Sequence, residues 1–278
     1  NTNQIMNFLN TGPSETTITT MPMSYTYGLS IINTHLMGGS KIFVSERSIV
    51  EKLFWSNLNN YKITNFGGVP FFYKILSKLN FLNIELRNIK YITQAGGKLE
   101  GNLAQEIIEV CEKKNINFFM MYGQTEATAR ISYIPTKEVK EKYHTIGKLV
   151  KGGKIWLEDE KGKVIKEKKK EGELIFKGKN VCLGYSESFE DLDKGDENLE
   201  FLRTGDLAIK DEFDNYIIVG RKKRFLKIFG LRINLDDIEQ ELNVNEFDCA
   251  CLGNDEKITI FVQENINLED LKNYIKKN

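Results

Sequence analysis

The chain has 278 residues, room for one large hydrophobic core or two smaller ones. Lysine plus arginine balances aspartate plus glutamate, 39 against 39, so net charge calls for neither nucleic acid nor an anionic membrane and leaves small molecules or other proteins as partners. Four scattered cysteines (Cys111, Cys182, Cys249, Cys251) and two isolated histidines (His35, His144) lack metal-ligand spacing, which predicts reduced thiols and no zinc. No stretch approaches the ~20 apolar residues of a membrane span and the N-terminus lacks the regions of a signal peptide, so a soluble cytoplasmic protein is expected.

From Met23 to Tyr122 short apolar runs alternate with segments of helical period. Lys41–Val44, Lys62–Phe66, Tyr91–Gln94 and Ile116–Met121 read as buried strands, with turns at Gly67-Gly68, Ala95-Gly96-Gly97 and Tyr122-Gly123. Between them Pro70–Leu79 and Leu103–Cys111 carry apolar residues at three-and-four spacing, and Pro70 suits a first helical position, where no backbone donor is needed. Such alternation predicts an α/β layer of parallel type, in which ligands bind at the carboxyl ends of the strands. After Gly147 come short strands between charged turns: Lys154–Leu157, Glu173–Phe176, Leu207–Lys210 and Tyr216–Val219. The mixed charges from Lys161 to Glu171 read as a solvated hairpin tip. Beyond it, Phe225–Phe229, Asp248–Leu252 and Ile258–Val262 read as strands and Leu235–Asn243 and Leu268–Lys277 as amphipathic helices, the last with Leu268, Leu271, Tyr274 and Ile275 on one face. The predicted fold class is α/β, a large domain at 1–222 made of an α/β layer plus short strands, followed at 223–278 by an incomplete small α+β domain hinged on the basic cluster Arg221–Arg224.

Three segments carry chemistry. In Tyr122-Gly123-Gln124-Thr125-Glu126 the glycine allows close backbone approach, the Thr125 hydroxyl suits a phosphate oxygen and the Glu126 carboxylate suits a bridging Mg²⁺, although a polar strand-to-loop turn would look the same. In Arg203-Thr204-Gly205-Asp206 the aspartate, placed at a strand start, suits both hydroxyls of a ribose; an aspartate in a turn is equally a structural feature. Arg221, after Gly220, suits a second ribose or phosphate contact, or a surface salt bridge. Their occurrence together and in this order reads as one nucleotide site. A dinucleotide enzyme is disfavoured, because no G-x-G-x-x-G turn follows a predicted strand.

These segments resemble successive core motifs of the adenylate-forming superfamily: acyl-CoA synthetases, aryl-CoA ligases, luciferases and the adenylation domains of peptide synthetases. Further matches are Pro22-Met23-Ser24-Tyr25-Thr26-Tyr27-Gly28, Gly96-Gly97-Lys98, Gly172-Glu173-Leu174 leading to Gly184-Tyr185, and Lys227, Gly230, Arg232 and Glu239. The resemblance implies that Gly96, Gly97 and Lys98 lie along the adenine and that Tyr122 stacks on it, beside Gly123. It also implies that Thr125 contacts phosphate, that Glu126 holds Mg²⁺, and that Asp206 and Arg221 bind the ribose. Lys223 falls at the hinge of the small domain, and Lys227 and Gly230 in a loop that enters the site in a second pose. The implied acyl pocket lies near Ser24, Tyr25, Gly28, Gly67, Gly68, Gly97 and Thr125.

The implied activity is ATP-dependent acid:thiol ligation, with ATP/AMP, Mg²⁺, a small-molecule carboxylic acid and a thiol acceptor, coenzyme A or a carrier protein's phosphopantetheine. Two family parts do not occur: a Ser/Thr/Gly-rich phosphate loop followed by Pro-Lys, and the lysine that promotes adenylation. The chain is therefore expected to be the C-terminal portion of a longer synthetase, binding AMP weakly with little complete turnover. The alternative is a non-catalytic nucleotide- or acyl-binding subunit that works with a partner carrying the missing segment. Amino-acid-activating members place an aspartate where Tyr25 stands, and a phenol cannot pair with a buried ammonium, so the expected acid lacks an α-ammonium. Asp206→Ala is expected to weaken AMP binding and to leave thermal stability nearly unchanged.

Overall fold

The computed structural model describes residues 1–99, 101–228, 231–254, 257–263 and 266–277, without the side chains of 227, 228, 231, 232 and 277. Its first layer is a seven-stranded sheet in the order β2-β1-β3-β4-β5-β6-β7. These strands are β1 (Thr16–Ile18), β2 (Lys41–Phe43), β3 (Asn65–Gly68), β4 (Tyr91–Gln94), β5 (Asn117–Tyr122), β6 (Ser132–Ile134) and β7 (Lys148–Leu149). β1 to β5 pair in parallel, and β6 and β7 close one edge antiparallel. Helices α1 (Thr2–Leu9) and α2 (Thr26–Met37) cover one face, where Tyr27 and Phe8 pack with Ala95 and Met121. On the other face α3 (Lys52–Asn60), α4 (Pro70–Lys78), α5 (Gly101–Lys114) and α6 (Thr136–Lys142) bury Phe54, Tyr73, Ile107 and Val139 against Phe66, Ile92 and Phe118. Each such side chain taken fully from water stabilises by roughly 1.5–3 kcal/mol, so this face carries most of the large core.

The predicted strands and crossover helices of this layer are present, with instructive shifts. Gly67 and Gly68 do not form a turn after β3; they are its last two residues and fully buried. A β-carbon on Gly67 would stand 2.7 Å from Tyr27 Oη and 2.8 Å from Thr93 Oγ1, so the strand is bare there because neighbouring side chains occupy that space. Four elements before β3 (α1, β1, α2, α3) carry no signal as clear as the strands that follow, since β1 has only three residues.

A five-stranded antiparallel sheet follows, ordered β12-β11-β10-β8-β9. It comprises β8 (Lys154–Glu158), β9 (Val164–Ile165), β10 (Gly172–Lys177), β11 (Phe201–Lys210) and β12 (Tyr216–Arg221). The charged segment expected to be one hairpin tip contains β9, paired with β8, and Lys168 and Lys169 beyond it pair with Asp214 and Glu212. β11 is longer than its apolar run suggests: Arg203 extends it by pairing across strands with Glu173 and Glu158. Asp206 therefore lies in mid-strand rather than at a strand start, opposite Arg221.

The last elements are β13 (Phe225–Ile228), β14 (Leu231–Asn234), α7 (Leu235–Val244), β15 (Cys249–Asn254), β16 (Lys257–Val262) and α8 (Leu268–Lys277). They share a core of Leu226, Leu235 and Cys251 packed by Ile233, Ile238 and Ile260. Asn234 caps α7 by accepting from the backbone N–H of Asp236. On α8 only Leu271 of the expected apolar face is buried; Leu268 and Ile275 are exposed. No helix among the described residues is long and apolar enough to cross a membrane.

Candidate nucleotide site

The chain departs from β1 to β2 on one side and returns to β3 on the other, so the strand order reverses at β1 and opens a crevice beside the carboxyl ends of β1 and β3. Thr20, just past β1, spans this crevice by donating its hydroxyl to the Gly67 carbonyl at 2.5 Å. The expected adenine and phosphate segments leave the neighbouring strands β4 and β5 on the same edge. Gly96, Gly97 and Lys98 are exposed, and the Gln94 side chain secures the turn by donating to the Gly97 carbonyl at 2.8 Å. Tyr25 leans over this turn, its hydroxyl 2.7 Å from the position of a Gly96 β-carbon.

After β5 the chain makes a one-turn helix, Thr125–Ala127, which exposes Thr125 and leaves Glu126 half-buried. Thr26, in the first turn of α2, donates to Thr125 Oγ1 at 2.9 Å, joining the Ser24–Gly28 segment to the phosphate candidate. Glu126 Oε1 accepts from the Tyr185 hydroxyl at 2.6 Å. That hydrogen bond, more than burial, pushes the Tyr185 phenol up to about 12. A tight return follows: Thr128 and Ala129 have φ of 50° and 97°, and Asn180 donates to the carbonyls of Ala127 and Arg130 at 2.7 and 3.1 Å. Holding non-glycine residues there costs on the order of 1–3 kcal/mol each, and the buried Asn180 amide supplies part of the constraint that maintains them.

Asp206 is the junction of the two sheets. Its carboxylate is 4% exposed; Oδ2 accepts from the Tyr122 hydroxyl at 2.5 Å and Oδ1 from Arg221 Nε at 3.0 Å. Burial raises the Asp206 carboxyl above its ordinary value, while the Tyr122 hydroxyl and Arg221 pull it back. Burial and the adjacent carboxylate together drive the Tyr122 phenol well above its ordinary value. The structure thus gathers Tyr122, Asp206 and Arg221, residues far apart in sequence, into one hydrogen-bonded unit, with Thr125 and Glu126 on the loop directly after β5.

The family model for AMP-binding enzymes matches residues 1–186. The chain belongs to this AMP-binding enzyme family. Among curated relatives it is 26% identical to a luciferin 4-monooxygenase of Luciola mingrelica, over 87% of this chain and 44% of the luciferase. It is 26% identical to the acyl-CoA ligase cnsG of Penicillium expansum, over 82% of this chain and 48% of the ligase. In fold the chain resembles the o-succinylbenzoate coenzyme A synthetase MenE of Bacillus subtilis solved with AMP, with TM-score 0.79, 21% identity, and 100% of this chain covering 57% of the synthetase. The same synthetase solved with ATP and magnesium gives TM-score 0.77 at 22% identity, 99% of this chain covering 58% of that one. The chain therefore spans about half the length of the curated relatives that it matches.

Of the expected residues, Gly28 meets the Pro22 carbonyl, 2.2 Å from where its β-carbon would stand, and Gly68 meets the Phe72 ring, so both serve packing of the chain. Only Gly67, of those expected round the acyl group, lines the interior cavity beneath α2. Lys223 is exposed in a one-turn helix, Lys222–Arg224, whose other members are tied down: Lys222 to Glu173, and Arg224 to Asp236 and Glu239. Lys227 lies in β13 with its side chain outside the description, and Gly230 lies outside the described residues. Sequence reasoning passed over Arg130 and Asn180. The signal for Arg130 was a lone charge inside the apolar segment Ala127–Ile134.

Proposed function

We propose that this chain is part of an ATP-dependent acid:thiol ligase. A carboxylate attacks the α-phosphate of ATP, pyrophosphate leaves, and a thiol then displaces AMP from the acyl-adenylate, releasing a proton and forming a thioester. The thiol acceptor is coenzyme A or a carrier protein's phosphopantetheine, and the phosphate-gripping parts absent here belong to a further segment or a partner subunit. The Tyr122–Asp206–Arg221 unit beside Thr125 and Glu126 carries this reading: it sets an anionic hydroxyl acceptor, an aromatic ring and a phosphate-sized polar loop on one edge of the sheet. In this reading Gly96, Gly97 and Lys98 flank the adenine with Tyr122 and Gly123, and Asp206 and Arg221 hold the ribose. Thr125 orients the α-phosphate, and Ser24 and Tyr25 border the acid.

The residues present fit Mg²⁺. Among the described residues no cluster of three or more metal-binding side chains occurs, which disfavours an all-protein cage. Glu126 offers one carboxylate, fixed by Tyr185 through Oε1. A dication held by one carboxylate, water and nucleotide oxygens is the habit of Mg²⁺, which when bound offsets phosphate charge. Glu126→Gln is expected to abolish most of the gain in ATP affinity produced by Mg²⁺ while leaving AMP binding without metal intact. Calorimetric titrations with and without Mg²⁺ check this, and an unchanged magnesium effect removes Glu126 from the role.

Residues 223–278 are proposed to form a small domain that turns about Lys223, with Lys227 brought to the site in one pose. The separate core around Leu226 and Leu235 supports the division; among the described residues Lys74 to Asp248 at 3.2 Å and the Asn234 side-chain amide, donating to the Val219 carbonyl at 3.2 Å, tie it to the rest of the chain. Lys223→Pro is expected to slow thioester formation more than adenylation in the longer parent protein, by restricting backbone φ at the turning point. Single-turnover rates for the two steps check this, and equal slowing counts against a hinge.

A further inference from the structure

The two faces of the seven-stranded sheet differ in kind. Under α3, α4 and α5 the buried side chains are almost all hydrocarbon, whereas under α1 and α2 lie Thr34, His35, Asn65, Thr93 and Arg130, each no more than 4% exposed. The start of α2 is fastened on this polar side. Buried Tyr27 donates its hydroxyl to the Thr93 carbonyl at 2.9 Å, and Thr93 Oγ1 lies 2.7 Å from the same oxygen. The Arg130 guanidinium covers the Tyr27 ring, 4.2 Å from its centroid, and a desolvated cation over an aromatic face is a strong contact of its kind. Arg130 ends the tight return that follows Thr125 and Glu126, so the first turn of α2 and the loop after β5 are pinned to each other.

Thr26 stands between these fixtures. It immediately precedes Tyr27, and the turn before it is closed by the Tyr25 N–H donating to the Pro22 carbonyl at 3.1 Å. Its β-branched side chain has few rotamers in the first turn of a helix. The half-buried Thr26 hydroxyl donates to Thr125 Oγ1 at 2.9 Å, 99 residues away in sequence. A threonine hydroxyl has one proton and two acceptor lone pairs, and on an exposed loop it rotates to suit its surroundings. Thr125 is exposed, and among the described residues its hydroxyl has one hydrogen-bond partner, Thr26. With a lone pair taken from that side, the Thr125 proton is directed away from α2 and is free to be donated.

We infer that Thr26 is a positioning residue: by donating to Thr125 Oγ1 it turns the Thr125 proton outward, onto an anionic phosphate oxygen of the nucleotide. This rests on the reading of Thr125 as the phosphate contact. Thr26 commits its own proton to Thr125 and so acts through it, without touching the phosphate. Hydrogen bonds in series polarise one another, which makes Thr125 a better donor as well as an oriented one. The final link, to a charged oxygen, is the kind that gains most from a fixed donor. Orientation set before the nucleotide arrives spares the rotor its ordering cost on binding.

The test is calorimetric titration of the purified full chain with AMP and with adenosine, which lacks the phosphate. Thr26→Val keeps the branched shape and removes the hydroxyl. It is expected to weaken AMP binding ~5-fold while adenosine affinity and the thermal unfolding temperature stay as in wild type, and Thr26→Ser should restore most of the loss. Thr125→Val should itself bind AMP more weakly, and adding Thr26→Val to it should cost nothing further, because the donor that Thr26 directs is gone. Wild-type AMP affinity in Thr26→Val, with Thr125→Val still weakened, overturns the inference and leaves the phosphate reading standing. So does a loss that persists in the Thr125→Val background or extends equally to adenosine, either of which marks Thr26 as a tie for the loop. Wild-type AMP affinity in Thr125→Val, or no AMP binding by the wild-type chain, sinks the phosphate reading and this inference with it.

Discussion

Gly123→Ala is expected to destabilise the fold by about 3 kcal/mol and to remove nucleotide binding. A β-carbon at Gly123 would stand 2.1 Å from the Ala129 carbonyl oxygen and 2.9 Å from Arg130 Cα. Both obstacles are backbone, so no side-chain rotation relieves the clash. The return of residues 127–130 has to move, and it is held at positive φ by bonds from Asn180. Movement of this return displaces Glu126 and Arg130 together. Urea denaturation and AMP titration of Gly123→Ala check this; a variant within ~1 kcal/mol of wild type with normal AMP affinity would show that the return yields easily.

Asp206→Ala is expected to weaken AMP binding by ~100-fold, the loss of two hydroxyl bonds to a carboxylate at the lower end of their usual 1.5–3 kcal/mol each. The geometry also revises the expectation that stability would hardly change. Asp206 is nearly fully buried and satisfies the Tyr122 hydroxyl and Arg221, so its removal is expected to cost about 2 kcal/mol of stability. Asp206→Asn separates the two effects. It keeps an acceptor for Tyr122 and removes the buried charge.

The folded-state value of Asp206 lies above its ordinary 3.8. The stabilisation linked to its protonation is therefore fully present below pH ~3.8 and lost as pH rises through the folded value. Wild type should lose stability relative to Asp206→Asn as pH rises from ~3.5 to ~6, and urea midpoints at the two pH values measure it. A relative gain instead would mean that Arg221 and Tyr122 outweigh burial.

Residues near in sequence were legible as a site, and residues joined only by the fold were not. Tyr122 to Glu126 announced itself because a glycine turn, a hydroxyl and a carboxylate stand in one short run after an apolar strand. Asp206 and Arg221 were legible by resemblance and by order. The bond from Tyr122 to Asp206 depends on how two sheets dock, which no local spacing encodes. The strands β5 and β10 stood out because each contains an unbroken apolar stretch, Phe118 to Met121 and Leu174 to Phe176. β3 was displaced by glycines that look like a turn and are instead interior strand, emptied for Tyr27 and Thr93. Arg130 escaped because a single cation among apolar residues ordinarily reads as a surface position.

The unequal faces of the large sheet divide the molecule's tolerance to change. Phe54, Tyr73, Phe118 and their neighbours on the hydrocarbon side interlock, and alteration there threatens the whole protein. On the opposite side, His35, Tyr91 and Thr11 form a loose chain of long contacts, 3.3 and 3.4 Å, round a space of little volume. Substitutions can therefore accumulate on that side one residue at a time while the interlocked face goes on holding the sheet and its strand order.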